Sequence, residues 1–232
     1  MNAYHSVSVV IPCFNDASTL PTIISVLNQS VIGQVVIVDD GSNPPLPHSL
    51  TSLHPHLTLI RHPQNLGKSL ALKTGLAAAK CPIILFLDSD LLGLTSSHIK
   101  LLTQPVIRKQ CNMLIGEVTG LLPIFQLTGY SIAYSGLRCF NKTLSPIVRK
   151  SLNHVGYING FLVEAQMNSL LFGHYKICGT RLAGLSQSYK ISKFGIKGLI
   201  NDLKIMYKIG TYLGWFRHLS QLRFSRQLIT RH

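Results

Sequence analysis

The chain has 232 residues, of which 46% are hydrophobic and 13% are charged, and its formal net charge is +14. This length and apolar content suffice for one large domain with a full core. The cysteine pattern excludes a disulfide framework and a zinc site, because the five cysteines are scattered and no C-x-x-C pair occurs. They are interpreted as reduced thiols of a cytosolic protein.

Strand-type and helix-type segments alternate over residues 7–88. The strand-type segments are nearly continuous runs of Val, Ile and Leu, which is typical of parallel strands buried on both faces. Asp16 or Ser18 is the candidate cap of the first helix. In chain order the segments are strand VSVVIP, helix ASTLPTIISVLNQ, strand QVVIVDDGS, loop NPPLPHSLTSLHPH, strand LTLIRH, helix KSLALKTGLAAAK and strand PIILFLD. The alternation predicts an α/β fold with a mostly parallel sheet covered on both faces.

The pattern is looser past Asn112. MLIGEVTG and YKICGTRLAG are strand-type, GFLVEAQMNSLLFG is helix-type, and a long helix is predicted from Gly195 to about Leu222. The uncharged run Val118–Leu137 contains a proline and three glycines, so it is not interpreted as a transmembrane span. Since no internal repeat or low-complexity linker occurs, we predict a single domain over residues 1–232.

The clearest chemical signal is the carboxylate pair Asp88 and Asp90, which follows the apolar run Ile83–Leu87. Ligands of parallel sheets bind beyond the carboxyl ends of the strands, and two other strand ends, PCFND and DDGS, carry polar turns. Two carboxylates this close repel each other beside a buried strand unless a cation neutralises them. Hard oxygen ligands suit Mg²⁺ or Mn²⁺. A cap of the next turn is the alternative, and we favour the metal site.

Two common phosphate-binding motifs are missing. GKS at Gly67–Ser69 resembles the end of a P-loop, but the position five residues before its glycine holds His62. No G-x-G-x-x-G follows the first strand, so a dinucleotide site of the Rossmann type is not expected.

Four motifs occur in order over the first 95 residues: VSVVIPCFNDASTL, VVIVDDGS, NLGKSLALKTGLAAAK and IILFLDSDLLGL. Together they resemble the nucleotide-sugar half of family 2 glycosyltransferases, which have the GT-A fold. YSGLRCF and GFLVEAQMN resemble, more loosely, the subset related to glucosyl-3-phosphoglycerate synthases. The resemblance implies a Rossmann-like GT-A domain with a nucleotide-sugar half in 1–95, an acceptor half in 112–194 and a basic C-terminal helix and tail in 195–232.

The resemblance also implies roles for residues at the strand ends. In the family the first strand end lines the nucleotide, and a carboxylate after the second strand contacts the base, which here indicates Asp40 with Asp39 as its neighbour. Asp88 and Asp90 would hold Mg²⁺ or Mn²⁺, which stabilises the leaving diphosphate. The implied donor-binding residues are Pro12, Phe14, Asn15, Asp16, Asp39, Asp40, Lys68, Asp88 and Ser89.

On the acceptor side, Glu164 matches the glutamate of the family. A carboxylate there takes the acceptor's proton or holds a sugar hydroxyl; a helix glutamate facing solvent is the alternative. Arg138 resembles a residue near the acceptor or the pyrophosphate, with a surface arginine as an equal alternative. The resemblance therefore implies Glu164 and Asp90 as catalytic residues, and Arg138, Gly160 and Glu164 as acceptor-binding residues.

The sequence departs from the family at Gln187. Relatives often carry a histidine there, three residues before the first lysine of a K-x-x-K-x-G segment, as a further metal ligand; here the segment is QSYKISKFG. An amide oxygen is a weaker ligand than imidazole, so metal binding is expected to be looser, unless His154 or His174 takes that place. The departure also leaves room for a degenerate enzyme.

The predicted function is metal-dependent transfer of a sugar from a nucleotide diphosphate sugar to an unidentified acceptor, with inversion or retention both open. One alternative is a sugar-phosphate nucleotidylyltransferase, although PCFND lacks the glycine- and arginine-rich loop of those enzymes. The other is a non-catalytic nucleotide- or lipid-binding protein with the same fold, which only the change at Gln187 supports.

Basic residues are concentrated in the tail, since residues 190–232 hold nine Lys or Arg and one Asp. A surface helix ordinarily packs its apolar face on the sheet. A basic amphipathic helix that ends in Trp215 and Phe216 also predicts peripheral contact with an anionic membrane. The polar face of this predicted helix holds Lys197, Asn201, Lys204 and Lys208. The predicted location is the cytoplasm, and it is the inner face of the membrane if the helix contacts lipid. A lipid-linked acceptor is then one candidate, and no nucleic-acid partner is expected.

Overall fold

The computed structural model describes residues 6–30, 32–118, 127–153, 161–187, 204 and 206–229. Among these residues a seven-stranded sheet has the order β3-β2-β1-β4-β7-β6-β8, and β5 and β9 form a separate two-stranded ribbon. The strands are β1 Val7–Cys13, β2 Ile32–Asp39, β3 Leu57–Arg61, β4 Ile83–Phe86, β5 Leu91–Leu92, β6 Met113–Val118, β7 Arg138–Asn141, β8 Ile177–Leu182 and β9 Ser186–Gln187.

The sheet is mostly parallel, as predicted. Strands β1 to β4 pair in parallel, and β6 pairs in parallel with β8. Only β7 runs the other way, between β4 and β6. Because β7 is antiparallel to both of its neighbours, β6 and β8 run in the same direction as β4. All the parallel strands therefore present their carboxyl ends at one edge.

Helices cover both faces of the sheet. Helices α1 and α3 pack on one face, where Val9 and Ile11 of β1 point, and helices α2, α5 and α6 pack on the face of Val10. The alternation along a single strand is the period-two pattern of a sheet buried on both sides. The helices are α1 Leu20–Asn28, α2 Lys68–Ala78, α3 Ser96–Ile107, α4 Tyr130–Ala133, α5 Ser145–Asn153, α6 Phe161–Leu171 and α7 Trp215–Ile229, with 3₁₀ turns at His48–Leu53 and Lys142–Leu144.

Several local predictions were wrong. The N-cap of α1 is Thr19 rather than Asp16 or Ser18, and its side chain makes no capping hydrogen bond. The predicted loop before β3 contains the 3₁₀ turn at His48–Leu53. The long C-terminal helix is interrupted: residues 206–213 are helical, Gly214 has a φ of +81°, and α7 begins at Trp215. A positive φ is the conformation that glycine adopts most readily and that ends helices.

The five cysteines are free thiols, as predicted. In the part of the chain that the structure describes, we find no helix with the length and hydropathy needed to span a bilayer.

Candidate active site

The carboxyl ends of β1, β2 and β4 lie side by side, since β1 pairs in parallel with both of the others. The predicted convergence of PCFND, DDGS and DSD at one edge is therefore confirmed. This edge carries the carboxylates of Asp16, Asp88 and Asp90 close enough for their charges to interact. Three interacting carboxylates at one edge of the sheet favour a cation among them.

Lys68 is the first residue of α2 and joins the two halves of the site. Its Nζ lies 2.9 Å from Oδ1 of Asp88 and 3.2 Å from Oε1 of Glu164. Burial by itself lowers the pKa of Lys68, but the charges of Asp88 and Glu164 outweigh it and hold the pKa well above its usual value of 10.5. The ammonium group therefore stays charged and neutralises part of this acidic cluster.

Glu164 lies in α6 with its side chain 3% exposed, which rules out a carboxylate that simply faces solvent. One of its oxygens, Oε1, accepts the hydrogen bond from Lys68. Its other oxygen, Oε2, has no donor among the described residues and is buried. A buried carboxylate oxygen without a donor is costly, so it is a candidate for binding a hydroxyl or a proton of a ligand.

Asp90 has the electrostatic signature of a cation ligand. Burial, followed by repulsion from Asp88 and then Asp16, raises its pKa from 3.8 to about 6. A divalent ion would relieve this repulsion, and oxygen ligands suit Mg²⁺ or Mn²⁺. The described residues form no ready-made cluster of three or more His, Cys, Asp or Glu side chains. The site thus fits a metal whose remaining ligands come from a bound diphosphate or water.

The segment between the two aspartates is held by α1. The backbone carbonyl of Ser89 accepts a hydrogen bond from Oγ1 of Thr19, and Thr19 is the residue that precedes α1. The thiol of Cys13 donates to the carbonyl of Asp16 at 3.2 Å. The first bond ties the start of α1 to the segment after β4, and the second closes the turn after β1. Neither Thr19 nor Cys13 stood out in the sequence.

The turn after β1 is anchored to the turn after β2. The backbone N–H of Asn15 donates to Oγ of Ser42 at 3.0 Å, and Oδ1 of Asn15 accepts from the backbone N–H of Asn43 at 2.8 Å. Phe14 is 45% exposed beside this turn, and Pro12 and Asp16 are partly exposed. An exposed aromatic ring at the end of a strand offers a surface on which a nucleobase can stack.

Asp39 and Asp40 are buried, and their hydrogen bonds go to the protein itself. Asp39 accepts from the backbone N–H groups of Ser42 and Leu46 and from Arg61. Burial raises the pKa of Asp39, but these hydrogen bonds outweigh burial and lower it. Asp40 accepts from His62 and from the backbone N–H groups of Leu66 and Gly67, which shape the loop before Lys68. The predicted base contact of Asp40 stays a prediction, and its observed bonds hold this loop in place.

Arg138 is fully buried, so the alternative of a surface arginine was wrong. Its guanidinium donates to the carbonyls of Ser135 and Ala133, at 2.9 and 2.8 Å, and to Oδ1 of Asn168 at 2.8 Å. Burial lowers its pKa to about 10, against the opposing charge of Glu164. Arg138 therefore fastens β7 and the end of α4 to α6, one helical turn from Glu164; acceptor binding by Arg138 stays a prediction.

Gly136 is a site residue that the sequence interpretation missed. A Cβ at this position would lie 2.7 Å from Oδ2 of Asp88 and 2.8 Å from Nζ of Lys68. Even a methyl group would thus collide with the ion pair. The signal was present in YSGLRCF, where the glycine stands two residues before Arg138, but a lone glycine in a loose motif has many explanations.

The third predicted metal position is only partly described. Gln187 belongs to β9, and its backbone pairs with Leu91, the residue after Asp90. This pairing brings position 187 next to the DSD segment. His174 is exposed and precedes β8, at the sheet edge opposite to the carboxyl ends, so the suggestion that it replaces the missing histidine was wrong. Gly160 and His154 lie outside the described residues.

Comparison with known proteins was made at the level of families, sequences and folds. The sequence model of the family described as glycosyl transferase family 2 matches residues 8–155. The pre-mycofactocin glycosyltransferase of Mycobacterium tuberculosis is 36% identical over 89 residues, or 38% of this chain. That match spans only 18% of the length of the mycobacterial protein.

The fold is similar to that of glucosyl-3-phosphoglycerate synthase from Mycobacterium tuberculosis. A crystal structure of that enzyme with Mn²⁺, UDP and phosphoglyceric acid gives a TM-score of 0.60 at 18% identity and covers 90% of this chain and 80% of the synthase. A structure of the same enzyme with Mg²⁺ and UDP gives a TM-score of 0.61 at 17% identity and covers 90% of this chain and 80% of the synthase. At these identities the likeness shows a shared fold.

Proposed function

This chain belongs to glycosyl transferase family 2, and on that premise we propose that it moves a sugar from a nucleotide diphosphate sugar to an acceptor. The observation that carries the proposal is the junction of Lys68 with Asp88 and Glu164. The family places the donor at the acidic strand end that holds Asp88. Lys68 connects this strand end to the buried carboxylate of Glu164 on the acceptor side. A protein that only bound nucleotides would have no use for a buried carboxylate oxygen that no described residue supplies with a donor at that junction.

The donor would lie along the carboxyl ends of β1, β2 and β4. Phe14 offers its exposed ring to the base, and Asp88 and Ser89 belong to the segment that faces the ribose in the family. Asp90, with Asp88, would hold Mg²⁺ or Mn²⁺, which neutralises the diphosphate while its bond to the sugar breaks. The metal is supported by the raised pKa of Asp90 and by the Mn²⁺ and Mg²⁺ complexes of the glucosyl-3-phosphoglycerate synthase fold relative.

Glu164 would act on the other substrate. Its unpartnered Oε2 takes the proton of the acceptor hydroxyl, or accepts a hydrogen bond from a sugar hydroxyl, while Oε1 stays bound to Lys68. Arg138 positions α6 from behind through Asn168. Gly136 leaves room for the ion pair of Lys68 and Asp88.

The acceptor is either a small molecule or a lipid-linked one. The fold relative was crystallised with phosphoglyceric acid, a small anionic molecule. A lipid-linked acceptor, with peripheral contact between the protein and an anionic membrane at its cytoplasmic face, is supported by the net charge of +14 and by the concentration of Lys and Arg after residue 190.

A donor screen tests the proposed function. Nucleotide diphosphate sugars with Mn²⁺ are expected to raise the melting temperature, because a ligand that binds only the folded state stabilises it. Lys68→Met should abolish the shift, whereas Lys73→Met on the same helix should keep it. If no nucleotide sugar shifts the wild-type melting temperature with Mn²⁺ or Mg²⁺, the assignment as a glycosyltransferase fails.

A further inference from the structure

The C-terminal region exposes a row of large apolar side chains to solvent. Phe216 is 87% exposed, Tyr207 is 63% exposed and Leu219 is 59% exposed. Tyr212 and Trp215 complete the row, with about half of each side chain exposed. We call these five residues the aromatic face. Single exposed apolar residues are ordinary on a surface, but here five occur in one short stretch of the chain and two of them, Tyr207 and Trp215, lie together, which favours a binding surface.

The aromatic face is built around the helix break at Gly214. The ring of Trp215 packs over Gly210, where a Cβ would lie 2.7 Å from the ring. The Tyr207 ring lies 5.9 Å from the Trp215 ring across the break. A continuous helix would have directed these residues around its circumference. The break instead brings Tyr207, before it, and Trp215, after it, together.

The opposite side of α7 accounts for the core contacts of this region. His218, Gln221, Leu222 and Ser225 are buried, and Phe224 packs against Phe172, the residue after α6, at 4.5 Å between ring centroids. Phe216 and Leu219 lie on the other arc of the same helix, so the fold does not need them for its own packing. Both side chains are therefore available to bind a partner.

The charged residues that the structure describes on these two helical stretches are all basic. Lys204, Lys208, Arg217 and Arg223 are exposed on the same two helical stretches, and no acidic residue follows Asp202 in the sequence. Aromatic side chains flanked by Lys and Arg are typical of helices that lie in the interface of an anionic bilayer. A protein partner would need a large acidic surface with an apolar centre to match the same pattern.

We propose that the aromatic face is the membrane-docking surface of this protein, with Phe216 and Leu219 inserted among the lipids of an anionic bilayer and the basic residues on its headgroups. The proposed function includes contact with a membrane, and this inference identifies the surface that makes the contact. It rests on the proposed function only where it concerns the nature of the acceptor. Beside Phe216 a groove of about 430 Å³, lined also by Phe172, Phe224 and Arg217, offers space for part of a lipid chain.

The surface adjoins the acceptor side of the candidate active site. The amide of Gln166 donates to the hydroxyl of Tyr212 at 2.8 Å, and Gln166 stands two residues after Glu164 in α6. Docking through the aromatic face would thus hold the helix that carries Glu164 near the bilayer. This arrangement suits an acceptor whose lipid part stays in the membrane.

The single tryptophan of the chain, Trp215, reports on the aromatic face directly. Vesicles of phosphatidylcholine with phosphatidylglycerol, at low salt and without any sugar donor, are expected to shift its emission to the blue, and brominated lipids are expected to quench it. Phe216→Ser with Leu219→Ser should lower vesicle partitioning by about tenfold or more, because each side chain loses its transfer into lipid. Leu101→Ser, which alters a 47% exposed leucine on α3, serves as the matched control.

Three results would overturn the proposal. The first is an unchanged Trp215 spectrum with anionic vesicles, and the second is a double serine variant that partitions like the wild type. The third is light scattering that shows a dimer in which Trp215 is already shielded, since the face would then belong to a second copy of the chain. Because no donor is present, failure of sugar transfer and failure of membrane docking are measured separately.

Discussion

Lys68 and Glu164 stand 96 positions apart in the chain, and their side chains meet at 3.2 Å. The contact closes the candidate site, because Lys68 begins the helix after the third strand and Glu164 lies in the helix before the eighth. The same Nζ binds Asp88 at 2.9 Å. The ammonium group of Lys68 thus links Asp88, a predicted donor-binding residue, to Glu164, a predicted acceptor-binding residue. The two halves of the chain share one cluster of charged side chains.

Glu164→Gln is expected to lower turnover far more than donor affinity. The amide keeps the shape and a hydrogen bond to Lys68 but cannot take a proton, and general-base losses are on the order of 10² to 10⁴ in rate. Donor binding by calorimetry and transfer under saturating donor separate the two effects. An equal loss of donor affinity would place Glu164 in the nucleotide pocket instead.

Asp90→Asn is expected to abolish transfer and the metal dependence of donor binding while the protein stays folded. Without metal, the same variant should melt at a higher temperature than the wild type above about pH 6, because the pKa of Asp90 is raised to about 6 in the folded state and its charged form is unfavourable there. The advantage should shrink as the pH falls through 6 and vanish near the unfolded value of 3.8. Melting curves from pH 4 to 8 measure this, and wild-type transfer by the variant at low metal would refute the metal site.

Gly136→Ala is expected to reduce transfer on the order of 10²-fold, because the added methyl displaces Asp88 or Lys68 from its position and small misplacements in a site are costly. Gly173→Ala, at a left-handed glycine with open space around it, controls for general loss of stability. Circular dichroism and transfer assays on both variants test the prediction. If Gly136→Ala is as active as the wild type, the cleft above Asp88 is not where the substrates meet.

Arg138→Lys is expected to destabilise the fold on the order of 3 kcal/mol, because an ammonium cannot reproduce the forked hydrogen bonds to Ser135, Ala133 and Asn168. Chemical denaturation gives the free energy of unfolding. Under conditions where the variant is folded, donor affinity should be unchanged. A stable variant that has lost only acceptor affinity would instead favour the predicted role of Arg138 in acceptor binding.

Gln187→His is expected to tighten Mn²⁺ binding, because imidazole is a better ligand than an amide oxygen and the backbone of position 187 pairs with Leu91 beside Asp90. Calorimetry with Mn²⁺ and UDP compares the two proteins. His174→Ala, at the opposite edge of the sheet, is the control and should leave affinity unchanged. A well-folded Gln187→His protein with wild-type Mn²⁺ affinity would exclude position 187 from the metal site.

The sequence alone was sufficient for the class of fold and for the convergence of three polar strand ends at one edge of the sheet. Continuous apolar runs such as Ile83–Leu87 are local signals, because a strand buried on both faces must be apolar at every position. Parallel pairing then brings the ends of β1, β2 and β4 together without any further information. The sequence therefore predicts that Asp88 and Asp90 lie at this edge, and the strand pairing agrees.

Only the tertiary structure decided which side chains meet and which are buried. Arg138, in the single reversed strand β7, became a core residue because three acceptors from α4, the turn after it and α6 converge on it. Gly136 and Glu164 are candidate site residues because both lie against Lys68 in the folded protein. The aromatic face depends on the helix break at Gly214, which helical periodicity does not reveal. Local patterns report the burial of a segment, whereas contacts between residues far apart in the chain depend on how the segments pack.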